Sequence, residues 1–306
     1  MANKYNPPSV AQCDAESPIN EALMKDGYRD SIVGIGLPAS VFNSFLGDGG
    51  GGVAPTSTGS LDCTSSGISY PSWTLPTGQT ITLNTSGGIH RMGVQGTLKV
   101  VGDISADGTG AAGGVGAIGA DGPQGTDSPM LLGGGAAASG ASGNNSSYDG
   151  GDGGKCPGFD RSEGAPANGS VGTAGVAGTA AVASAGRWYG DMACIGPAPG
   201  GGAGSAGNAE AGGNGGNGGG AIIIECDVLD LDGEGTISAN GAAGVQGASN
   251  AGGGGGGAGG TVIIISRTTT GSGAGPTLEA NGGAGGVGHQ NGGAGGAGRT
   301  ALVVLQ

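Results

Sequence analysis

Aromatic residues are scarce in this chain, with 2 Trp, 5 Tyr and 3 Phe among 306 residues. That scarcity excludes a large aromatic-lined catalytic cavity and a base-stacking platform for nucleic acid. Ile, Leu, Val and Phe together supply only 50 positions, below the ~20% at which a conventional core is expected. Cations are few as well: 10 Lys and Arg stand against 23 Asp and Glu, a net charge of −13. A field of that sign repels polyphosphate and anionic lipid, which argues against nucleic acid as a partner. Aliphatic runs such as Ala221 to Ile224 and Val262 to Ile265 fall far short of the ~20 residues of a membrane span. The opening MANKYNPPSV has no apolar leader segment, so the sequence predicts neither Sec export nor membrane insertion. The five cysteines, Cys13, Cys63, Cys156, Cys194 and Cys226, are widely spaced and odd in number. They spell neither a disulfide framework nor a CxxC metal clip, a pattern that fits assembly in a reducing cytosol. A Cys156–Cys194 bridge formed after release stays open.

What is abundant is glycine, at 80 residues. It is not evenly spread. Residues 1–46 contain little of it and hold two of the three Phe. They include a short helix candidate, Ser17 to Lys25, with Ser17 as cap, Pro18 at the first helical position and Glu21 close behind. This stretch reads as a segment that docks onto something else or as a frayed terminal arm. From Ser69 to Lys99 apolar and polar residues alternate, through Trp73 and Leu75, Ile81 and Leu83, Ile89, then Leu98 and Val100. That alternation predicts short strands, with turns at Thr77-Gly78, Ser86-Gly87-Gly88 and Gln95-Gly96.

Two phrases repeat in the remainder. Asp103 to Gly108 recurs as Thr236 to Gly241 and as Thr277 to Gly282, each copy followed by a Gly/Ala-rich tract. Gly219 to Glu225, Gly259 to Ile265 and Gly298 to Val304 are one β-branched unit written three times. The spacing of ~40 residues is that of stacked repeats, whose copies cover one another's apolar faces. Within the tracts a shorter period runs: Gly110, Gly113, Gly116, Gly119, Gly122 and Gly125, then Gly169, Gly172, Gly175 and Gly178. Three residues make one turn of a polyproline-II-type helix, which has no internal hydrogen bonds and must bond its backbone outward. Packed glycine-rich helices beside a β-stack lead the reading, with linker-like disorder and a short collagen-like segment as the other arrangements left open. Ordering glycine costs entropy, so many backbone hydrogen bonds are required to offset it.

The run from Phe45 to Gly114 resembles the glycine-rich tail-fibre, spike and head-fibre proteins of tailed bacteriophages. The residues that carry the resemblance are Gly47-Asp48-Gly49, the stretch from Gly88 through Arg91 to Gly96-Thr97-Leu98, and Ile104-Ser105-Ala106-Asp107-Gly108. The glycine-rich receptor-binding adhesins of some phages are similar in composition. The resemblance implies a virion surface protein, exposed on the particle after assembly in the host cytoplasm, with a homotrimer as the expected state. Residues 1–46 would then attach it to other virion proteins. The GDG element departs from the family by running into Gly50 to Gly52.

Little in the chain suggests catalysis. His90 and His289 are the only histidines and have no nucleophile pattern beside them. Asp227, Asp230 and Asp232 resemble a glycosidase pair less than a solvated strand face. Asp149, Asp152 and Asp160 match no calcium loop and read as an Asx-rich turn. The G-x-G-x-x-G strings follow no strand-to-helix unit and carry no nucleotide signal. Two interruptions of the glycine tracts gather the contact-prone side chains Tyr148, Phe159 and Arg161, then Trp188, Tyr189 and Asp191. Binding hot spots favour such residues, and sugars stack on aromatic faces. The same side chains suit plugging the end of a glycine stack or packing across an oligomer axis.

The sequence thus predicts an all-β protein of stacked short strands, β-helix-like or β-sandwich-like, with packed polyproline-II-type glycine helices and a short N-terminal anchor. Four segments are expected: attachment over 1–46, a β-rich neck over 47–108, a glycine-rich region over 109–220 and a repeated body over 221–306. The expected function is non-enzymatic host-surface binding, to a saccharide or an outer-membrane protein, through the six residues from Tyr148 to Asp191 just named. A purely structural virion component is the alternative. No cofactor, metal, nucleic acid or membrane insertion is expected.

Overall fold

The computed structural model describes residues 53–61, 68–84, 89–116, 118, 121–127, 150–153, 198, 201–202, 204–205 and 210–304. The Ser17 to Lys25 helix candidate, the 169–178 glycine run, four of the cysteines and all six expected receptor contacts lie outside the described residues. The described chain is all-β, and every strand pairing in it is parallel. No helix among the described residues is long and apolar enough to cross a membrane.

Eleven strands are described: β1 (Gly59–Leu61), β2 (Ile68–Tyr70), β3 (Trp73–Leu75), β4 (Thr80–Leu83), β5 (Ile89–Val100), β6 (Asp103–Ser105), β7 (Ala221–Asp230), β8 (Thr236–Ser238), β9 (Thr261–Thr270), β10 (Thr277–Glu279) and β11 (Arg299–Val304). The long strands stack in one sheet in the order β11-β9-β7-β5-β2, with β3 also on β5. The short ones stack in the other as β1-β4-β6-β8-β10. The repeated phrases are in register, because Ala221 pairs with Ile89 on one side and Thr261 on the other, and Thr261 with Arg299. Segments 47–108 and 221–306 therefore share both sheets. Each long strand passes through a turn of two to six residues into its short strand, which makes each copy one rung.

Between the sheets lies the main core. Ile222 and Ile224 of β7 and Val262 and Ile264 of β9 face Ile81, Leu83, Ile104 and Ile237 across it. The opposite face of the long-strand sheet is apolar too, with Ala221, Ile223, Ile263 and Ile265 buried on it. The unbroken aliphatic runs of β7 and β9 are explained by burial on both faces, each large side chain contributing ~1.5–3 kcal/mol.

The alternation over 69–99 predicts a turn at Gln95-Gly96, but the structure runs β5 straight through it. The register slips by one residue between Val94 and Thr97, so the strand bends in a β-bulge instead of ending. Gly96 permits this, since a Cβ there would stand 2.7 Å from the Pro71 carbonyl oxygen. Asp227 and Arg267 occupy the same corner on the next rungs and form an ion pair at 3.1 Å.

The short-strand phrase is repeated for a related reason. At the point where each short strand hands over to a glycine tract, Asp107 Oδ1 accepts the Asn240 N–H at 2.5 Å and Asn240 Oδ1 accepts the Asn281 N–H at 2.7 Å. One Asp/Asn side chain per rung holds the backbone of the next. A similar link closes the opposite corner, where Asp232 Oδ1 accepts from Ser272 and Gly273, beside Gly271 with φ 84°.

The glycine tracts carry no strand pairing, yet their backbones are bonded to one another. Gly241, Gly244 and Gly247 donate to the carbonyls of Asn281, Ala284 and Val287. Gly213, Gly216 and Gly219 donate to Gly252, Gly255 and Ala258, and Gly253, Gly256 and Gly259 to Gln290, Gly293 and Gly296. Every set advances by three residues. Tract 251–260 lies in the middle and is buried at every position, which is why its sequence contains six consecutive glycines. In tracts with an outer side, the exposed third position bears a side chain instead, as at Asn281, Ala284 and Val287. Asn214 and Asn217 use that position to accept the N–H of Gly116 and Gly113.

A Cβ at Gly256 would fall far inside van der Waals contact with the Gly283 carbonyl, and both neighbours are backbone. Gly256→Ala is expected to cost ~1–3 kcal/mol or more, as overpacking does. Ala297→Ser, at an exposed position of the same array, should stay within ~0.5 kcal/mol. Thermal unfolding of the two variants checks this, and equal losses would contradict the close-packing account.

Candidate functional site

A rung's glycine hairpin leaves the short strand, turns and returns to the next long strand. Tract 239–247 runs out from β8 and 251–260 back into β9, while 280–287 runs out from β10 and 291–298 back into β11. The turns gather at the end of the array away from the sheets and are tied together. The Asn250 N–H donates to Glu210 Oε2 at 2.8 Å, the His289 N–H to the Ala251 carbonyl at 2.8 Å and the Gly253 N–H to the Gln290 carbonyl at 2.9 Å. Gln246, Ala248, Ser249, His289 and Asn291 are exposed there. The tip thus presents amides, a hydroxyl and an imidazole on a base of bonded backbone, all of them groups that form hydrogen bonds.

One rung is interrupted. The Thr236 N–H donates to Asp103 Oδ1 across 133 residues of chain, whereas Asn281 and Asn240 on the next pair of rungs are 41 apart. Both pairs of rungs are nevertheless stacked in register. The additional residues lie within 117–209, and those of them that are described join the glycine array: Thr126 donates to the Ala112 carbonyl, Ala198 to Gly219, Gly201 to Gly216 and Gly204 to Gly213. Tyr148, Phe159, Arg161, Trp188, Tyr189 and Asp191 all belong to this insertion.

The three carboxylates weighed as a glycosidase set are each engaged separately. Asp227 pairs with Arg267 at 3.1 Å, Asp230 with Lys99 at 3.0 Å, and Asp232 caps the 271–273 turn. The hydrogen bond from Lys99 and the Asp232 backbone hold the Asp230 carboxyl below its usual value. His90 is buried in β5 beside Ile222, and His289 is exposed on a turn. Cys226 is a buried free thiol that burial pushes up to about 12, too high for nucleophilic use at neutral pH. Among the described residues no group of three or more His, Cys, Asp or Glu is placed to hold a metal. Asp152 is described, while Asp149 and Asp160 lie outside the described residues.

The sequence reading passed over the side chains that hold the array together. Asp107, Asn240 and Asn281 stand in the repeated phrase, so for them a signal was present; Asn214 and Asn217 stand three residues apart in a glycine tract of their own. Their role needed the knowledge of which tracts are neighbours.

Comparison with known proteins yields no relative: no family model matches the chain, and no curated protein and no solved structure is significantly similar to it.

Glu225 sits on the outer face of the long-strand sheet, 3.4 Å from Arg91. Burial pushes its carboxyl above the usual value more than Arg91 draws it down. The folded chain therefore holds that proton more tightly than the unfolded chain. The charge penalty applies in full above the folded value, shrinks as pH falls through it and is gone below the ordinary carboxylate range. Glu225→Gln is expected to raise stability at pH 7 by up to about 1 kcal/mol, because it removes the desolvated charge and leaves behind only Arg91, whose side chain is more than half exposed to water. The gain should fade on acidification, and denaturant titrations at pH 7 and pH 4 measure it. A variant less stable at pH 7 would show that the Arg91 pairing dominates.

Proposed function

We propose that this protein is a bacteriophage virion surface component that displays host-binding loops on a glycine-rich scaffold. The observation that carries this reading is the interrupted rung. A long insertion of sequence that holds the contact-prone residues separates two rungs that still stack in register, and Ala198, Gly201 and Gly204 within it join the glycine array, so the remainder can vary in sequence while the scaffold cannot. The resemblance of residues 45–114 to phage fibre and spike proteins supplies the biological setting. The partners on this reading are a host saccharide or outer-membrane protein at the tip and other virion proteins at residues 1–46.

In finer detail, the scaffold is a β-helix-like stack continued sideways by polyproline-II-type glycine helices. Donors at every third residue support it, since a helix of three residues per turn presents one N–H per turn to each neighbour. Such an array is stiff without a large apolar interior. A second reading, a structural virion component without receptor binding, draws support from the same bonding, which makes a rigid spacer whether or not its loops bind anything.

Replacing Trp188 and Tyr189 together by Ala separates the two. Adsorption of otherwise normal particles should fall at least about tenfold if these side chains are hot spots. Unchanged adsorption would favour the structural reading, and absence of the protein from purified particles would dispose of both.

A further inference from the structure

An Asn followed by Gly is the pair in which a side-chain amide is most open to attack by the next backbone nitrogen, because Gly has no Cβ to hinder the approach. Five such pairs stand among the described residues, at Asn214, Asn217, Asn240, Asn281 and Asn291, while Asn168-Gly169 lies outside them. Four of the five are tied down twice. The Gly215, Gly218, Gly241 and Gly292 N–H groups donate to the carbonyls of Gly114, Ala111, Asn281 and Gly286 at 2.8–2.9 Å. The side chains are engaged as well, since Oδ1 of Asn214, Asn217, Asn240 and Asn291 accepts from the N–H of Gly116, Gly113, Asn281 and Gly288. Asn281 differs on both counts. Among the described residues neither its side-chain amide nor the Gly282 N–H has a hydrogen-bond partner, and Asn281 is exposed.

We propose that Asn281 is a site of spontaneous deamidation, singled out from the other Asn-Gly pairs by the fold. The Gly282 nitrogen gives its proton to solvent hydroxide and attacks Asn281 Cγ. As the new N–Cγ bond forms, the Cγ–Nδ2 bond breaks and the side-chain nitrogen leaves as ammonia, which closes a cyclic imide. Water then opens the ring. Attack at Cγ yields an aspartyl residue in an ordinary backbone, and attack at the Asn281 main-chain carbonyl carbon yields an isoaspartyl linkage. Amide and water become acid and ammonia, with no change of oxidation state and no reagent beyond solvent. Turning the Asn281 carbonyl to close the ring gives up the bond it accepts from the Gly241 N–H. At the other four pairs the attacking amide and the Asn side chain must both be released first. An isoaspartyl linkage adds a methylene to the main chain at the head of tract 280–287. Gly244 and Gly247, which donate to Ala284 and Val287, then lose the three-residue register that leads to the turn carrying His289.

Incubation of the full 306-residue chain in mildly alkaline buffer made with heavy-oxygen water, followed by peptide mapping, tests it. Heavy oxygen should enter at Asn281 at least about tenfold faster than at Asn214, Asn217, Asn240 or Asn291, since two hydrogen bonds of ordinary strength separate the sites. Aspartyl and isoaspartyl peptides should both appear, and the rate should rise with pH. In denaturant the five sites should react at similar rates, because only the fold distinguishes them. Asn281→Gln, whose imide needs a larger and slower-forming ring, should end uptake at this position. Three results would each overturn the proposal: an Asn281 that stays intact in the folded chain while the denatured chain reacts, equal rates at the five sites in the folded chain, or a preference for Asn281 that survives in denaturant.

Discussion

Backbone amides bonded to backbone carbonyls across closely spaced glycines are the interaction on which this protein depends. A chain this poor in aliphatic residues cannot offset its conformational entropy by apolar burial alone. Its glycines lose more freedom on ordering than any other residue type. Extended segments brought within hydrogen-bonding distance on several sides satisfy nearly every backbone group at once. The tract 251–260, buried throughout, is the centre of that arrangement. Its neighbours 211–220, 239–247, 280–287 and 291–298 each bond to it.

The β-stack is what sets the glycine array in register. Long strands paired from Ile89 to Arg299 fix where each tract begins, and the Asp107, Asn240 and Asn281 ladder fixes where it leaves the short strands. Neither part is complete without the other. Strands buried on both faces give directional rigidity, and the tracts extend that rigidity sideways to the tip without needing a greasy interior. A long insertion between two rungs then costs little, because the rungs on either side are already held by one another.

A rigid array with a polar tip and an apolar strand β11 divides its surfaces by chemistry. The tip exposes Gln246, Ser249, His289 and Asn291, whereas β11 exposes Leu302 and Val304. Charges at the strand corners are paired, as in Arg267 with Asp227 and Lys99 with Asp230.

Much of this was legible in the sequence. The alternation of Trp73, Leu75, Ile81 and Leu83 located β3 and β4, and the thrice-written aliphatic unit located β7, β9 and β11. The period of three in the glycines matches the three-residue advance of the backbone hydrogen bonds between the described tracts. Other features depended on contacts distant in the chain. That Gln95-Gly96 is a bulge and not a turn rests on Pro71 lying against it. That Asn214 and Asn217 serve Gly116 and Gly113 rests on two tracts about a hundred residues apart becoming neighbours. Local pattern determined the elements because propensity and spacing act within a few residues. Only the folded stack decided which sides of each element are covered, because coverage is a property of neighbours and the intervening chain does not encode their distance.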